Sequence, residues 1–458
     1  MDLIIKNGMV VTAKEKFLAD VAVENGKIVA IGKDLGKDAD KIVDAGGKMV
    51  LPGAIDLHTH MATPFGGTVS ADGYFSGTRA AACGGVTTIF DYPTQKKGKG
   101  ILETINERKR MCEAEACVDY AFHCCITDLN NGEILDEMEE AVQEGITSYK
   151  CFLVYKKEGL MVDDGTLSIL LKRGKELGAM INVHAENPDL IDIRTKEYLK
   201  EGKTSAWYHY KSRPEFVEAE ADKRVVHWAK NLDTPVYLVH MADKEGLEAC
   251  IQAKKEGVPV YVETCIQYLE YTCDIYKRED GRNFVCSPPM KGEESREALW
   301  KALSAGFIDT VATDHCPFQS YEKDWGIEDF TKIPNGCAGV ENLYPYMLDA
   351  ANRGKITFEK AVEVCATNPA KIFGCTDKGS ITVGKDADIV IYDPNMDFTV
   401  SIMNMHSNYD HTIWEGKQFH GYLTDTYLRG KLVYHMGEFI GKAGSGKYIK
   451  RIPVKDRS

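Results

Sequence analysis

The residues best equipped for chemistry in this chain are four histidines, an aspartate and a lysine. They are far apart in sequence, but each belongs to a short apolar run. His58 and His60 end AIDLHTH, Lys150 lies within SYKCFL, His184 sits near the end of MINVHAE, His240 near that of PVYLVHM, and Asp314 with His315 ends DTVATDH. Side chains on a strand repeat every two residues, so a His-x-His pair presents both imidazoles on one face. Neutral imidazoles with a carboxylate ligate zinc and similar divalent ions. One such histidine is ordinarily a satisfied core residue, and His-x-His alone is a weak signal. The same residue types at several strand ends of one sheet point to a metal centre. Lys150 is the odd member. Its ordinary reading is a solvated charge, and a Schiff-base nucleophile is another. A buried run argues against the first, and the surrounding histidines against the second.

These residues need a scaffold that gathers strand ends. Between residues 53 and 374, apolar strands alternate with helical segments such as GILETINERKRMCEAE and NGEILDEMEEAVQEG. Eight strand candidates occur: AIDLHTH, VTTIFDY, DYAFHCCI, SYKCFL, MINVHAE, PVYLVHM, VPVYVETC and DTVATDH. Continuous apolar runs suit parallel strands covered on both faces. The pattern predicts an α/β fold, a (β/α)8 TIM barrel, in which catalytic residues gather at the C-terminal strand ends. A doubly wound open sheet fits less well, because no Gly-rich phosphate fingerprint follows an early strand. Residues 1–52 and 375–458 read instead as short β-branched strands, with Asn7-Gly8 and Asn25-Gly26 as hairpin signals. They predict a smaller β-sandwich domain built from both chain ends.

Composition narrows the partners. The chain has 458 residues and a net charge of −13, which argues against polyanions such as nucleic acid or an anionic membrane. The start lacks the features of a signal peptide, and no run approaches a membrane span. A cytoplasmic protein is expected, with its 14 cysteines reduced and buried as small hydrophobes. The basic tail FIGKAGSGKYIKRIPVKDRS reads either as an arm toward a neighbouring subunit or as a solvated end.

Across nearly its whole length the sequence resembles the D-hydantoinase and dihydropyrimidinase family of cyclic amidohydrolases. The segments that carry the resemblance are GAIDLHTHMATPFGGTVSADGYFSGTRAAACGGVTTIFDY, SYKCFLVY, INVHAEN, YLVHMA, YVETCIQYL, CSPPMK, VATDHCPF, PNGCAGVEN and GSITVGKDADIVIYDP. It implies a hydrolase that opens 5-substituted hydantoins, and dihydropyrimidines, with two divalent metal ions per subunit. Zn2+ is the family expectation, with Mn2+ or Co2+ as alternatives. It implies that His58, His60 and Asp314 hold one ion and His184 and His240 the other. Lys150, as a CO2-derived carbamate (N6-carboxylysine), would bridge them. Asp314 would shuttle the proton of a metal-activated water. Tyr155 would donate to the oxyanion, and Ser287 and Asn335 would hold the ring. A homotetramer or homodimer is also implied.

Dihydroorotases and allantoinases, relatives that take acidic rings or ureides, carry an arginine shortly after the His-x-His pair. Here Met61, Ala62, Thr63 and Pro64 follow it, which favours a neutral ring. Thr63, Phe65, Phe152 and Leu153, with Gly159 beyond, are expected around the exocyclic substituent, and Phe65 and Phe152 suit an apolar one. Non-enzymatic scaffold relatives have lost the ligands; all six positions are filled here. His123 is left as structural, and His315 as pointing away from the metals. His209, His227, His406, His411, His420 and His435 are left as surface or capping residues.

Overall fold

The β-branched runs at the start form β1 (Leu3–Val11), β2 (Lys16–Glu24), β3 (Lys27–Gly32), β4 (Lys41–Asp44) and β5 (Met49–Pro52). The structure, a computed structural model, describes residues 1–36 and 38–454. Asn25 and Gly26, both at positive φ, make the expected β2–β3 hairpin. Asn7-Gly8 does not turn the chain. It forms a bulge inside β1, where the pairing with β2 slips. Turn and bulge both need the positive φ that Asn tolerates, so the dipeptide alone does not separate them. Here the bulge is held by Asp20, whose Oδ1 accepts from the Asn7 amide at 2.9 Å. A side chain at Gly8 would meet Val50, at 2.4 Å from its Cγ2.

The middle of the chain carries β6 (Ala54–Thr59), a small hairpin β7 (Pro64–Phe65) and β8 (Thr68–Val69), then β9 (Val86–Asp91). It continues with β10 (Asp119–Phe122), β11 (Cys124–Cys125), β12 (Ser148–Phe152) and β13 (Met180–His184). It ends with β14 (Val236–Leu238), β15 (Val260–Cys265) and β16 (Thr310–Ala312). All eight predicted runs are strands; DYAFHCCI is interrupted at His123 into β10 and β11. They pair in parallel as β6–β9–β10 and as β11–β12–β13–β14–β15–β16. His315 N donates to His58 O at 3.1 Å and His60 N to His315 O at 2.8 Å, so the segment after β16 runs beside β6. β6, β9, β12 and β13 are buried at every position, which is why they read as unbroken apolar runs. Helices Ile101–Glu115 and Glu133–Gln143 fall where the pattern places them.

At the end, β17 (Ile389–Thr399), β18 (Gln418–Leu428), β19 (Lys431–His435) and β20 (Glu438–Phe439) return to the opening strands. They make one nine-stranded sheet, ordered β20-β19-β18-β17-β5-β1-β2-β3, with β4 beside β1. The expected sandwich is therefore a single hydrogen-bonded sheet rather than two. Its edge strand β3 meets the segment leading into β17: Ile28 N donates to Lys385 O and Gly384 N to Ile28 O. The sheet curls over its own apolar face, which holds Ile5, Val21, Ile28, Ile389 and Tyr427.

Over its described part the basic tail is fastened along its own chain, although Lys442, Lys447 and Lys450 stay exposed. Gly446, Arg451 and Val454 donate their amides to the carbonyls of Ala116, Gly145 and Gly178, on segments preceding β10, β12 and β13. Arg451 is buried, donates to Ser148 Oγ and the Phe122 carbonyl, and lies over the Phe90 ring. Tail residues 455–458 lie outside the described residues. All 14 cysteines are buried. Among the described residues no helix is long and apolar enough to cross a membrane.

Candidate metal centre

Strand ends bring the six candidate ligands together. His58 and His60 belong to the end of β6, Lys150 to β12 and His184 to β13; His240 and Asp314 follow β14 and β16. His58 Nε2 and His60 Nε2 lie 3.2 and 3.1 Å from Asp314 Oδ1. Lys150 Nζ is 3.3 Å from His58 Nε2. On the other side, His184 Nδ1 and His240 Nε2 are 2.9 Å apart, and the His58 and His240 rings stack with centroids 5.4 Å apart. His240 and Asp314 both have left-handed backbone, at φ 42° and 52°, as does Tyr155 at 64°. Such conformations cost about 1–3 kcal/mol each for non-glycine residues and collect at functional sites.

His58 Nδ1 faces Glu263 Oε1 at 2.7 Å, so Nδ1 carries the proton and Nε2 a lone pair. That lone pair meets a carboxylate oxygen of Asp314 at 3.2 Å, a contact between two acceptors. His184 Nε2 faces Glu186 Oε2 at 2.8 Å, which leaves the lone pair on Nδ1, toward His240. Lone pairs converging from both sides are what a bound cation satisfies. His240 Nδ1 is buried without a hydrogen-bond partner.

Electrostatics agree. Burial lowers the pKa of His58, His184 and His240, with the Lys150 charge adding to the effect, so the imidazoles are neutral and able to ligate. Lys150 is fully buried, and desolvation lowers its amine from the ordinary lysine value. A lowered amine is neutral more often, which capture of CO2 requires.

Several supporting residues escaped the sequence reading. Glu263 accepts from His58 Nδ1, from the His240 amide and, at 2.8 Å, from Tyr237 Oη; burial pushes its carboxyl up to about 7. Glu186 is pinned by Arg213 at 2.7 Å. Asp56 accepts from Thr313 Oγ1 at 2.6 Å and ties β6 to the segment after β16. His315 points away from the ligands as expected: its Nε2 donates to Asp72 at 3.0 Å, and its Nδ1 accepts from Gly339 N. The overlooked signal was an acid inside an apolar strand run, Glu263 in VPVYVETC and Asp56 in AIDLHTH, since such residues are seldom buried unpaired. Tyr92, after β9, was also passed over; its ring lies 4.5 Å from that of His58 and 4.6 Å from Lys150 Nζ. His209 is buried rather than on the surface, with Nε2 donating to the Cys286 carbonyl.

One cavity is lined by all six ligand candidates together with Phe65, Phe152, Tyr155, Ser287 and Asn335. Asn335 Nδ2 donates to Ser287 Oγ at 3.1 Å. Phe65 and Phe152 pack on the Tyr155 ring at 5.1 and 5.7 Å. Thr63 and Leu160 complete the apolar side. Leu153 does not face the cavity; strand alternation turns it into the main core, and Leu160 takes that place. Met61 is buried against Gly77, so the loop presents Thr63, Pro64 and Phe65 instead. No arginine lines the cavity among the described residues. Lys323 braces two of its walls. It is buried, and its Nζ donates to the carbonyls of Val285 at 3.0 Å and of Pro334 and Gly336, both at 2.7 Å. Those carbonyls flank Ser287 and Asn335.

Known proteins resemble this chain over its whole length. The model described as "Amidohydrolase family" matches residues 49–433. A D-hydantoinase of Ralstonia pickettii is 40% identical over 460 residues, covering 99% of this chain and 100% of that one. A D-phenylhydantoinase of Escherichia coli O1:K1 / APEC is 37% identical over 459 residues, covering 99% of each. Among solved structures, dihydropyrimidinase from Brevibacillus agri NCHU1002 superposes with a TM-score of 0.96 at 42% identity, covering 99% of each chain.

Proposed function

The chain belongs to the amidohydrolase family, and from that premise we propose a binuclear metal centre that opens 5-substituted hydantoins to N-carbamoyl amino acids. By reaction class it is a metal-dependent hydrolase of cyclic amides, of the hydantoinase and dihydropyrimidinase type. The observation that carries the proposal is the gathering of the His58, His60, His184 and His240 imidazoles with Asp314 and buried Lys150 around one cavity. His58, His60 and Asp314 are assigned to one ion and His184 and His240 to the other. Lys150, as a carbamate, is assigned to both. Zn2+ suits this donor set, as do Mn2+ and Co2+.

Divalent ions bound by these residues would supply Lewis acidity, making a water acidic enough to attack and polarising the amide carbonyl. The chain supplies the remaining steps. Ionised Asp314 takes the proton of the attacking water and hands it to the ring nitrogen as the C–N bond breaks. Tyr155 keeps its proton, because burial raises its pKa, and donates it in a hydrogen bond to the carbonyl oxygen as charge develops. Ser287 and Asn335, on loops fixed by Lys323, hold the alternating N–H and C=O groups of the ring. Phe65, Phe152 and Leu160 take the exocyclic substituent.

The same premise supports an eight-stranded barrel over residues 53–374, a second unit from residues 1–52 and 375–458, and a homotetrameric or homodimeric assembly. A substrate panel tests the ring. Hydantoin, 5-phenylhydantoin and dihydrouracil are expected to be opened, and from 5-phenylhydantoin, the one chiral ring of the three, the D enantiomer of the carbamoyl product is expected in excess. Dihydroorotate and allantoin are expected to be refused, since no arginine lines the cavity. Opening of dihydroorotate alone would overturn the neutral-ring reading.

A further inference from the structure

Three carboxylates share a second buried space. Glu218 and Asp222 lie one turn apart on helix Glu215–Leu232, and Asp243 caps helix Lys244–Lys255. All three are at most 3% exposed, and one oxygen from each lies within 4.8 Å of the others. Some of their oxygens are committed: Glu218 Oε1 accepts from Ala242 N at 2.8 Å and Asp243 Oδ1 from Gly246 N at 2.9 Å. Asp222 Oδ2 and Asp243 Oδ2 have no hydrogen-bond partner. Both point into the gap beside Gly246, where a Cβ would sit 2.3 and 2.7 Å from them.

One ammonium reaches the cluster. Lys291 Nζ lies 3.1 Å from Glu218 Oε2 and donates to the Arg213 carbonyl. Three carboxylates against one ammonium leave two negative charges buried, which is costly unless they are neutralised. Elsewhere the chain neutralises such a group itself. Asp119, Asp386 and Asp388 are equally close, and Lys378 Nζ sits among them at 2.5, 2.9 and 2.6 Å. Lys291 has no such central place.

We propose that Glu218, Asp222 and Asp243 form a further cation site, separate from the metal centre, that takes a hard divalent cation, Ca2+ foremost. Oxygen-only donors select hard ions over the softer metals that imidazole accepts. Ca2+ takes six to eight oxygen ligands in a flexible geometry, whereas Mg2+ demands a near-ideal octahedron and gives up water reluctantly; a site built from three carboxylates on two helices suits the more permissive ion. The ion would fasten the helix that begins four residues after His240 to the helix packed beside it, and so steady a ligand-bearing loop. Lacking a cation, the cluster must hold protons, and burial already raises Glu218 and Asp243 to about 8 and about 6.

The test uses full-length protein carrying its transition metals, equilibrated with Ca2+ or with Mg2+ and then freed of loose ions. Elemental analysis is expected to find Ca2+ retained by the wild type and lost from Asp222→Asn and Asp243→Ser, with transition-metal content unchanged. Serine keeps the cap oxygen, so Asp243→Ser guards against a misfolded Asp222→Asn. Ca2+ should raise the melting temperature of the wild type but of neither variant. Mg2+ retained and lost in the same pattern also supports a hard-cation site. No retention of either ion, or equal retention in the variants, overturns the proposal and leaves the cluster protonated.

Discussion

A lysine buried among metal-binding imidazoles can avoid an unpaired ammonium by losing its proton, and a neutral amine can then take up CO2. Lys150 is placed for this, with its amine lowered by burial and 3.3 Å from His58 Nε2. Lys150→Ala is therefore expected to lose both metals and ring-opening activity, and acetate or propionate should partly restore them. Full activity without the added acid would remove the carbamate. Asp314→Asn should lower kcat by about 10²–10⁴-fold, the usual weight of a positioned acid–base group, while KM changes little. Stopped assays over a substrate range separate the two parameters. That these six residues meet at one cavity was readable in the sequence, because imidazole and carboxylate at strand ends have few other uses. The proposed carbamate was not, since CO2 leaves no mark in a sequence; it came from resemblance. Glu263 and Glu186 were missed because an acid is assigned to a histidine only once the fold has placed them 2.7 and 2.8 Å from His58 and His184.

At the scale of elements, strands deliver the ligands and loops shape the pocket. Burial on both faces made the eight strands easy to recognise, whereas the loop residues had no periodicity to guide them. Leu153 and Leu160 exchanged places for that reason, and Asn7-Gly8 is a bulge because pairing partners, not the dipeptide, decide between bulge and turn. Lys323 is the clearest loop-scale device. Its three hydrogen bonds hold the segments that carry Ser287 and Asn335, and losing hydrogen bonds from a charged donor costs about 1.5–3 kcal/mol. Lys323→Met is accordingly expected to raise KM by roughly ten- to a hundredfold, with metal content and most of kcat retained. Unchanged KM would show that the loops hold their shape without it.

On the scale of the whole molecule, both chain ends return to one curled sheet, and the tail crosses the segments that precede β10, β12 and β13, with Arg451 buried beneath them. The joining of the two ends could be anticipated from their shared strand texture. The docking of the tail could not, because a lone buried arginine without an acidic partner looks in sequence like any basic tail residue. This scaffold leaves the opposite strand ends free to gather ligands, and the central claim is that these make a metal-dependent amidase. The most direct measurement is hydantoin opening followed against bound metal, from stripped protein back to full loading. Activity should vanish on stripping and return in proportion to metal, up to about two ions per chain for a two-metal site. Undiminished opening by stripped protein, or metal-loaded protein that opens no cyclic amide, would contradict it.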